Sequence, residues 1–280
     1  MTTAFVAWRS PTTRKWFPVG RLTSDDALFE FVYTKGAQRA QGEAGFQPLV
    51  SFPEFGRAYV SDKLFPLFAN RLLAKTRREY ASFVEWVSLP EADTDPIALL
   101  ARSGGRRATD ALEIFQCPEP NEEGKVEIHF FAHGLQYFPT EATERARRLE
   151  PGAPLLVMHD FQNKADSHAL MLRTAEEIPQ DIYPVGYCPQ YLLSDVYELL
   201  EKPDSVSVRV LRVNQPPAPL GFRLLCTLSA RWPDTYAPFS APDYLPVAEN
   251  LKRTFLIQVD GKTSATGKVT ATKRHGLTGD

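Results

Sequence analysis

Three short segments between residues 134 and 189 constrain the fold of this chain more than any other feature. The first is Gly-Leu-Gln-Tyr-Phe from residue 134, and the third is Val-Gly-Tyr-Cys-Pro from residue 185. Between them, an Asn- and Asp-containing loop separates apolar runs at residues 155–159 and 169–173. Short apolar runs around a polar loop are typical of strands, and Gly and Pro mark turns. The segments predict a small β-rich pocket lined with rings and hydrogen-bonding groups, which suits a nucleotide or a strand end better than bond-breaking chemistry.

Length and composition indicate a soluble globular protein. A chain of 280 residues is long enough for two domains, and 43% hydrophobic with 24% charged residues is an ordinary balance. No apolar run approaches the ~20 residues of a membrane-spanning helix, and the N-terminus does not resemble a signal peptide, so we expect a cytosolic location. The three cysteines show no C-x-x-C spacing, which argues against a disulfide framework and a zinc site. A net charge of −2 removes overall basicity as evidence for nucleic-acid binding.

The pattern along the chain predicts an α+β protein of two domains. In the first half it predicts strands at residues 5–8, 16–22, 28–33 and 110–116, and helices at 62–76 (capped by Ser61), 78–87 and 95–103. In the second half it predicts strands at 125–133, 155–159, 169–173, 206–213 and 222–229, and helices at 140–149 and 192–200. The V-G-Y-x-P segment is expected to be a turn leading into the second of those helices.

The Pro-rich acidic stretch from Cys117 to Lys125 marks the predicted domain boundary. We expect a first domain at residues 1–118, a linker at 119–128, a second domain at 129–233, and a partly disordered C-terminal extension at 234–280. Within that extension, residues 247–259 have enough apolar side chains for one more helix or strand that could dock on a partner. Residues 260–280 are rich in Gly, Thr and Lys and are expected to be a disordered tail.

The first half resembles the N-terminal subdomain of HipA-type proteins, the non-kinase part of a toxin family with a Ser/Thr kinase fold. Segments that carry this resemblance lie at residues 19–22, 29–33, 47–52, 64–73, 99–105 and 111–115, and together they span about residues 4–118. The chain shows neither a Gly-rich phosphate loop nor an H-x-D or D-F-G-like segment, so a kinase is not expected. The resemblance implies a binding or regulatory role, with a HipA-type kinase or another toxin subunit as the protein partner.

The second half, from about residue 130 to 232, is similar to the HIRAN domain, a module like a modified OB barrel that captures single-stranded DNA at a free 3′-hydroxyl end. The hallmark loop corresponds to residues 159–170, and the Val-Gly-x-x-Pro turn to residues 185–189. Three positions depart from the family pattern. Gln136 stands where a DNA-binding member has Arg, Ala165 replaces an aromatic ring, and Phe161 replaces Pro. The fold class that follows is α+β, a HipA-N-like α/β domain followed by a small OB-like barrel with helices.

Individual roles in this pocket follow from side-chain chemistry. Tyr137 and Tyr187 are candidates for stacking on a base, or else half-buried packing rings. Asp166 can accept a hydrogen bond from a ribose or terminal hydroxyl, or else brace its loop through backbone N–H groups. Asn163 is expected to stabilise the turn. The predicted DNA-contact set is Gln136, Tyr137, Arg145, Arg148, Asn163, Asp166, Tyr187 and Phe222.

Arg145 and Arg148 are the predicted substitutes for the arginine that Gln136 replaces, because they lie inside the HIRAN-like segment. Such clusters, which also occur at residues 71–78 and 102–107, are otherwise solvated faces or helix C-terminal charges.

Catalysis and metal binding have little support in the sequence. His159 and His168 flank the polar loop near Asp160 and Asp166, but nine positions separate them and no third clustered ligand follows. Adjacent residues such as Ser167 and His168 point to different sides and do not form a triad. We therefore expect no enzyme and no cofactor.

Two functions remain in order of preference. The first is a non-enzymatic adaptor that binds single-stranded DNA 3′ ends in a toxin–antitoxin or phage-defence setting. The alternative is a protein–protein regulator, an antitoxin-like partner of a HipA-type kinase, whose barrel has lost DNA binding. A nuclease or kinase remnant is a third hypothesis.

Overall fold

The computed structural model describes residues 2–25, 28–89, 95–107, 109–176, 181–202, 205–259 and 262–265, with only the backbone from residue 257 onward. The strands in chain order are β1 Thr2–Arg9, β2 Trp16–Ser24, β3 Phe29–Tyr33, β4 Arg57–Ser61, β5 Leu112–Gln116, β6 Lys125–Phe131, β7 Pro154–His159, β8 Leu170–Thr174, β9 Pro184–Tyr187, β10 Val206–Val213, β11 Leu224–Arg231, β12 Lys252–Val259 and β13 Lys262–Ala265. The α-helices are α1 Lys35–Ala44, α2 Pro66–Ala69, α3 Tyr80–Val87, α4 Pro96–Ser103, α5 Thr140–Arg147 and α6 Leu193–Leu200. The fold is mixed α+β.

The first sheet has the strand order β13-β12-β4-β3-β2-β1-β5 within the described residues. Neighbours pair antiparallel except β12 and β4, which run parallel. The β1–β2–β3 part confirms the predicted strand meander, with Ala4 opposite Leu22 and Leu22 opposite Phe31. The turn between β1 and β2 lies at the sheet end that faces the second sheet's polar loop.

Strand β1 separates two hydrophobic cores because its side chains alternate between them. Ala4 and Val6 face a core beneath the first sheet, whereas Phe5 and Ala7 join the core of the second sheet. Strand β5 is divided in the same way, with Leu112 and Ile114 on one side and Phe115 on the other. The rings of Phe115 and Tyr191 stack at 4.3 Å, so side chains from both halves share one core. The division of the chain into two domains stays a prediction.

The second sheet has the order β6-β11-β10-β7-β8-β9, antiparallel throughout the described residues. Its two edge strands meet beyond the end of β6, where His133 and Tyr187 exchange both backbone N–H to O=C hydrogen bonds at 2.9 Å. This bridge curls the sheet toward a barrel. The segment predicted to be a V-G-Y-x-P turn is therefore strand β9, and a short 3₁₀ turn precedes helix α6.

The predicted helix at residues 62–76 is wrong. Ser61 belongs to strand β4, and only the single turn α2 is helical. The buried side chain of Arg71 donates to the carbonyl oxygens of Leu67 and Gly105 and pairs with Asp110, so this segment is held by a long-range network. Helix α1 and strand β4 were not predicted. In contrast, α4 is confirmed, with the Asp95 carboxylate accepting from the backbone N–H of Ile97.

Strand β12 runs along β4 and places Leu256 in the core beneath the first sheet. Residues 247–259 were predicted to have enough apolar side chains for one more helix or strand that could dock on a partner. Residues 252–259 do form a strand, and it extends the protein's own sheet. Of the predicted disordered tail, residues 262–265 form β13, and the other positions lie outside the described residues. None of the described helices is long and apolar enough to span a membrane.

Candidate functional site

A glycine at each side of the barrel closure brings two site segments together. Gly134 has φ 75° and starts a 3₁₀ turn at Leu135–Tyr137, which turns Gln136 and Tyr137 outward. Gly186 has φ 142°, and a Cβ atom there would lie only 2.7 Å from the Cβ of Ala132. Only glycine allows this close approach of β9 to the end of β6.

Asn163 organises the polar loop between β7 and β8. Its Oδ1 accepts from the backbone N–H groups of Ala165 (3.0 Å) and Asp166 (3.2 Å), and its Nδ2 donates to Oδ2 of Asp160 at 3.1 Å. These are the contacts of a loop-bracing residue, as expected for Asn163. They hold the loop backbone at Ala165 and Asp166.

Tyr137 and Tyr187 have different environments. The Tyr187 ring stacks on Phe138 at 5.4 Å, and its hydroxyl donates to Oδ2 of Asp160 at 2.9 Å. Burial, together with this carboxylate, raises the pKa of Tyr187 above its ordinary value. The Tyr137 side chain, in contrast, is 69% exposed. Of the two predicted stacking rings, Tyr137 is the one with an open face.

Asp166 links the polar loop to the first sheet. Its Oδ1 accepts from the backbone N–H of His168 (2.9 Å), and its Oδ2 accepts from Nε2 of Gln190 (2.8 Å). Gln190 in turn accepts from the backbone N–H of Trp16 in β2 through Oε1 at 2.9 Å. Asp166 thus braces its loop, and each carboxylate oxygen has a second lone pair that can accept from a ligand.

These segments line a cleft of about 740 Å³ between the two sheets. Five of the predicted contact residues contribute to its wall: Gln136, Tyr137, Asn163, Asp166 and Tyr187. Other residues of the lining come from the first half of the chain. Arg106 and Arg107 belong to one of the basic clusters noted in the sequence, whereas Arg9, Arg14 and Trp16 were not predicted. The cleft is therefore composite, and guanidinium groups of the first half lie beside hydrogen-bonding groups of the second half.

A buried ionic cluster forms the floor of the cleft. The Glu113 carboxylate, with a side chain only 5% exposed, accepts from Nη2 of Arg106 and from the hydroxyl of Tyr191, both at 2.6 Å. Nε2 of His133 lies 3.2 Å from the same oxygen and also contacts Arg106. Burial alone would raise the pKa of Glu113, but Arg106 and His133 hold that pKa well below its usual range. Burial lowers the pKa of His133, which favours a neutral imidazole.

Three predicted contact residues lie elsewhere. The Arg145 side chain forms an ion pair with Glu176, and neither Arg145 nor Arg148 lines the cleft. These arginines sit at the C-terminal end of α5, where cations are favoured by the helix dipole.

Phe222 packs on Phe131 at 5.0 Å and on Phe83 at 6.3 Å, and it lines a second cavity of about 1510 Å³. Its role there is apolar packing that holds helix α3 against β11. Arg106 and Arg107 line both this second cavity and the cleft, so the two spaces adjoin each other.

Comparison with known proteins supports part of the sequence interpretation. Residues 125–232 match the HIRAN domain family, which is less than half of the chain. This match covers the second sheet up to β11, the polar loop and the barrel closure, but not the arginines that line the cleft. The HipA-type resemblance of residues 4–118 lies outside it and stays a prediction. No curated protein and no solved structure matches the chain.

Within the described residues, no group of three or more His, Cys, Asp or Glu side chains could hold a metal ion. The rings of His159 and His168 lie 6.5 Å apart, and Nε2 of His159 is hydrogen-bonded to the carbonyl oxygen of Ser167.

Proposed function

We propose that this protein is a non-enzymatic binding protein whose cleft holds the 3′ end of single-stranded DNA. The observation that carries the proposal is the exposed ring of Tyr137 at the cleft wall, in a segment that matches the HIRAN domain and lies beside guanidinium groups. Stacking one base on an aromatic side chain contributes ~1–3 kcal/mol without sequence preference. Single-strand binders combine such rings with positive charge, which is the composition of this cleft.

Selectivity for a free 3′-hydroxyl follows from the chemistry of Asp166. An ionised carboxylate accepts hydrogen bonds and donates none, so it can bind a terminal hydroxyl but repels a terminal phosphate. The contacts from Gln190 and His168 hold the carboxylate in a fixed orientation. A volume of about 740 Å³ is in the range of small-molecule sites, roughly 300–1,000 Å³, which suits one strand end.

The test is a titration of 5′-labelled oligonucleotides followed by fluorescence anisotropy at two salt concentrations. The probes are single strands of one sequence with a 3′-hydroxyl or a 3′-phosphate, and the blunt duplex of that sequence. We expect the 3′-hydroxyl strand to bind most tightly and its affinity to fall with salt. Equal binding of the three probes, or no binding, would contradict the proposal.

The resemblance of residues 4–118 to the HipA N-terminal subdomain supports a setting for this activity. In it, the first half contacts a HipA-type kinase or another toxin subunit in a toxin–antitoxin or phage-defence system, while the cleft senses DNA ends. Co-purification of the protein with a HipA-type kinase, with and without single-stranded DNA, tests this coupling. No complex under either condition would contradict it.

A second candidate function is that of a protein–protein regulator whose barrel no longer binds DNA. Gln136 and Ala165 favour it, because both replace residues that contact DNA in the resembled family. Exposed apolar side chains on and beside β7, namely Leu156, Met158 and Phe161, also favour it. The same titration separates the two candidates, since this second function predicts no binding of any probe.

A further inference from the structure

We infer that Arg9, at the end of β1, and Arg14, in the β1–β2 turn, supply the backbone-phosphate contacts of the cleft. The inference rests on the proposed function and adds to it the residues that hold the phosphates. These residues lie outside the segment that matches the HIRAN domain, so the end-binding site is built from both halves of the chain.

The cations that line the cleft come from the first half of the chain. Every lysine or arginine that lines the cleft in the described part of the chain comes from residues 9–107, whereas residues 125–232 contribute none. Gln136 is neutral, and Arg145 is engaged with Glu176 away from the cleft. Phosphate contacts provide much of the affinity of proteins for nucleic acids. A strand end held in this cleft therefore needs cations from the first half.

Arg9 and Arg14 lie directly beside the stacking ring. Nη2 of Arg14 donates to the hydroxyl oxygen of Tyr137 at 3.4 Å. The Arg9 guanidinium lies over the Trp16 ring, 5.8 Å from its centroid, and its Nε donates to the backbone oxygen of Arg14 at 3.3 Å. A base stacked on Tyr137 would thus place its own phosphate near two guanidinium groups.

The charges of these two arginines are available to a ligand. Within the described residues, neither Arg9 nor Arg14 forms an ion pair, whereas Arg106 is neutralised by Glu113 and Arg71 by Asp110. Partial burial, and next the nearby charge of Arg14, lower the pKa of Arg9. An anion between the two guanidinium groups would relieve their mutual repulsion. Arg106 positions the floor of the cleft, and Arg9 and Arg14 are free to bind phosphate.

The turn that carries them is held in place before any ligand arrives. The backbone N–H of Arg14 donates to the carbonyl oxygen of Ser10 at 3.0 Å, and Arg14 has φ 64°. Trp16 is tied to Asp166 through Gln190, and its ring meets the edge of Tyr191 at 5.5 Å. Because these contacts fix the turn against the barrel, little conformational freedom is lost when phosphate binds, which favours affinity.

The test compares the R9A/R14A variant with the matched control R145A/R148A, which removes two arginines that do not line the cleft. Binding of a 5′-labelled single strand with a 3′-hydroxyl is measured by anisotropy over a range of salt concentrations. We expect R9A/R14A to lose about tenfold or more in affinity, and the slope of log K against log salt to become shallower by ~0.7 for each lost phosphate contact. The control should keep the affinity and slope of the unaltered protein.

Two further measurements separate charge from folding. R9K/R14K should fold, keep the salt slope and lose less affinity than R9A/R14A, because Lys keeps the charge but not the paired geometry of Arg. With a strand whose 3′-terminal linkages are neutral methylphosphonates, R9A/R14A and the unaltered protein should bind alike. If R9A/R14A binds like the unaltered protein while Tyr137→Ala weakens binding, the inference is overturned and the proposed function stands. No binding by the unaltered protein overturns both.

Discussion

Nη2 of Arg14 and the hydroxyl oxygen of Tyr137 lie 3.4 Å apart, although 123 positions of chain separate the two residues. Arg14 belongs to the turn between β1 and β2, and Tyr137 to the 3₁₀ turn that follows β6. The contact joins the two sheets at the cleft, and it places a guanidinium group next to the exposed ring. Neither half of the chain would form this site alone, because residues of both halves line the cleft.

Removing the exposed ring tests the stacking role of Tyr137. Tyr137→Ala should weaken binding of a 3′-hydroxyl single strand by ~1–3 kcal/mol, measured by anisotropy, because one base loses its stacking partner. The midpoint temperature of thermal unfolding should change little, since the ring is 69% exposed. Phe161→Ala is the matched control, as its ring is 70% exposed and does not line the cleft. An equal loss of affinity in both variants would contradict a specific role for Tyr137.

The ionic cluster on the cleft floor should be important for stability. Glu113→Gln leaves the Arg106 guanidinium without its carboxylate, and breaking a buried pair destabilises by about 3–5 kcal/mol. We expect the free energy of unfolding, measured with urea, to fall by about 3 kcal/mol, the low end of this range, because the Arg106 side chain is still 30% exposed. Glu123→Gln removes the exposed partner of Lys125 and should leave the free energy of unfolding almost unchanged, because solvent screens this ion pair. Equal effects would show that the cluster has no special role.

Acid sensitivity should depend on His129. Burial, and next the charge of Arg102, lower the pKa of this imidazole to about 3, and its Nδ1 lies 2.9 Å from Oγ1 of Thr227. The unfolded chain takes up a proton near pH 6.5 while the folded protein does not. This contribution to stability is therefore complete above pH 6.5 and is lost as the pH falls toward 3.

Urea unfolding between pH 6.5 and pH 5 measures the effect. The free energy of unfolding should fall with pH in the unaltered protein and fall less steeply in His129→Asn. The difference in slope approaches about 1.4 kcal/mol per pH unit at the acidic end. Parallel curves for the two proteins would show that His129 is not the group responsible.

Two glycine substitutions should change the free energy of unfolding in opposite directions. Gly186→Ala introduces a Cβ atom 2.7 Å from that of Ala132 at a residue with φ 142°, so it should destabilise by ~1–3 kcal/mol or more and weaken DNA binding by opening the barrel closure. Gly42→Ala, in helix α1, meets no atom within 4 Å and should stabilise by about 0.5–1 kcal/mol. Urea unfolding of both variants measures these changes. A stable Gly186→Ala protein with normal affinity would contradict the role of this close approach.

Local patterns in the sequence predicted those elements whose stability is local. The β1–β2–β3 meander and the capped helix α4 follow from alternation and from Asp95 before Pro96. The helix expected at residues 62–76 does not form, because Phe65 and Phe68 are buried by a single turn and Arg71 bonds to distant groups. Strand β12 depends on a parallel partner about 190 positions earlier, which no local pattern contains.

Some residues of the site were likewise predictable from the sequence, and others were not. The residues of the barrel wall, such as Asn163 and Asp166, lie close together in sequence, and a family resemblance identified them. Glu113 alternates with the core residues Leu112 and Ile114, a pattern that predicts an exposed carboxylate. It is buried because both faces of β5 are covered, and on its own face the carboxylate meets His133 and Tyr191, which lie 20 and 78 positions later in the chain. No sequence pattern identified Arg9 and Arg14 as site residues, because their place in the cleft depends on the distant Tyr137.

A competition experiment tests whether the cleft holds a free 3′ end rather than the interior of a strand. The complex with a labelled 3′-hydroxyl single strand is challenged with unlabelled DNA of one sequence and length, either linear or closed into a circle. Both competitors carry the same bases and almost the same number of phosphates, but the circle has no end. We expect the linear strand to displace the label and the circle to do so only at far higher concentration. Equal competition by both would contradict it.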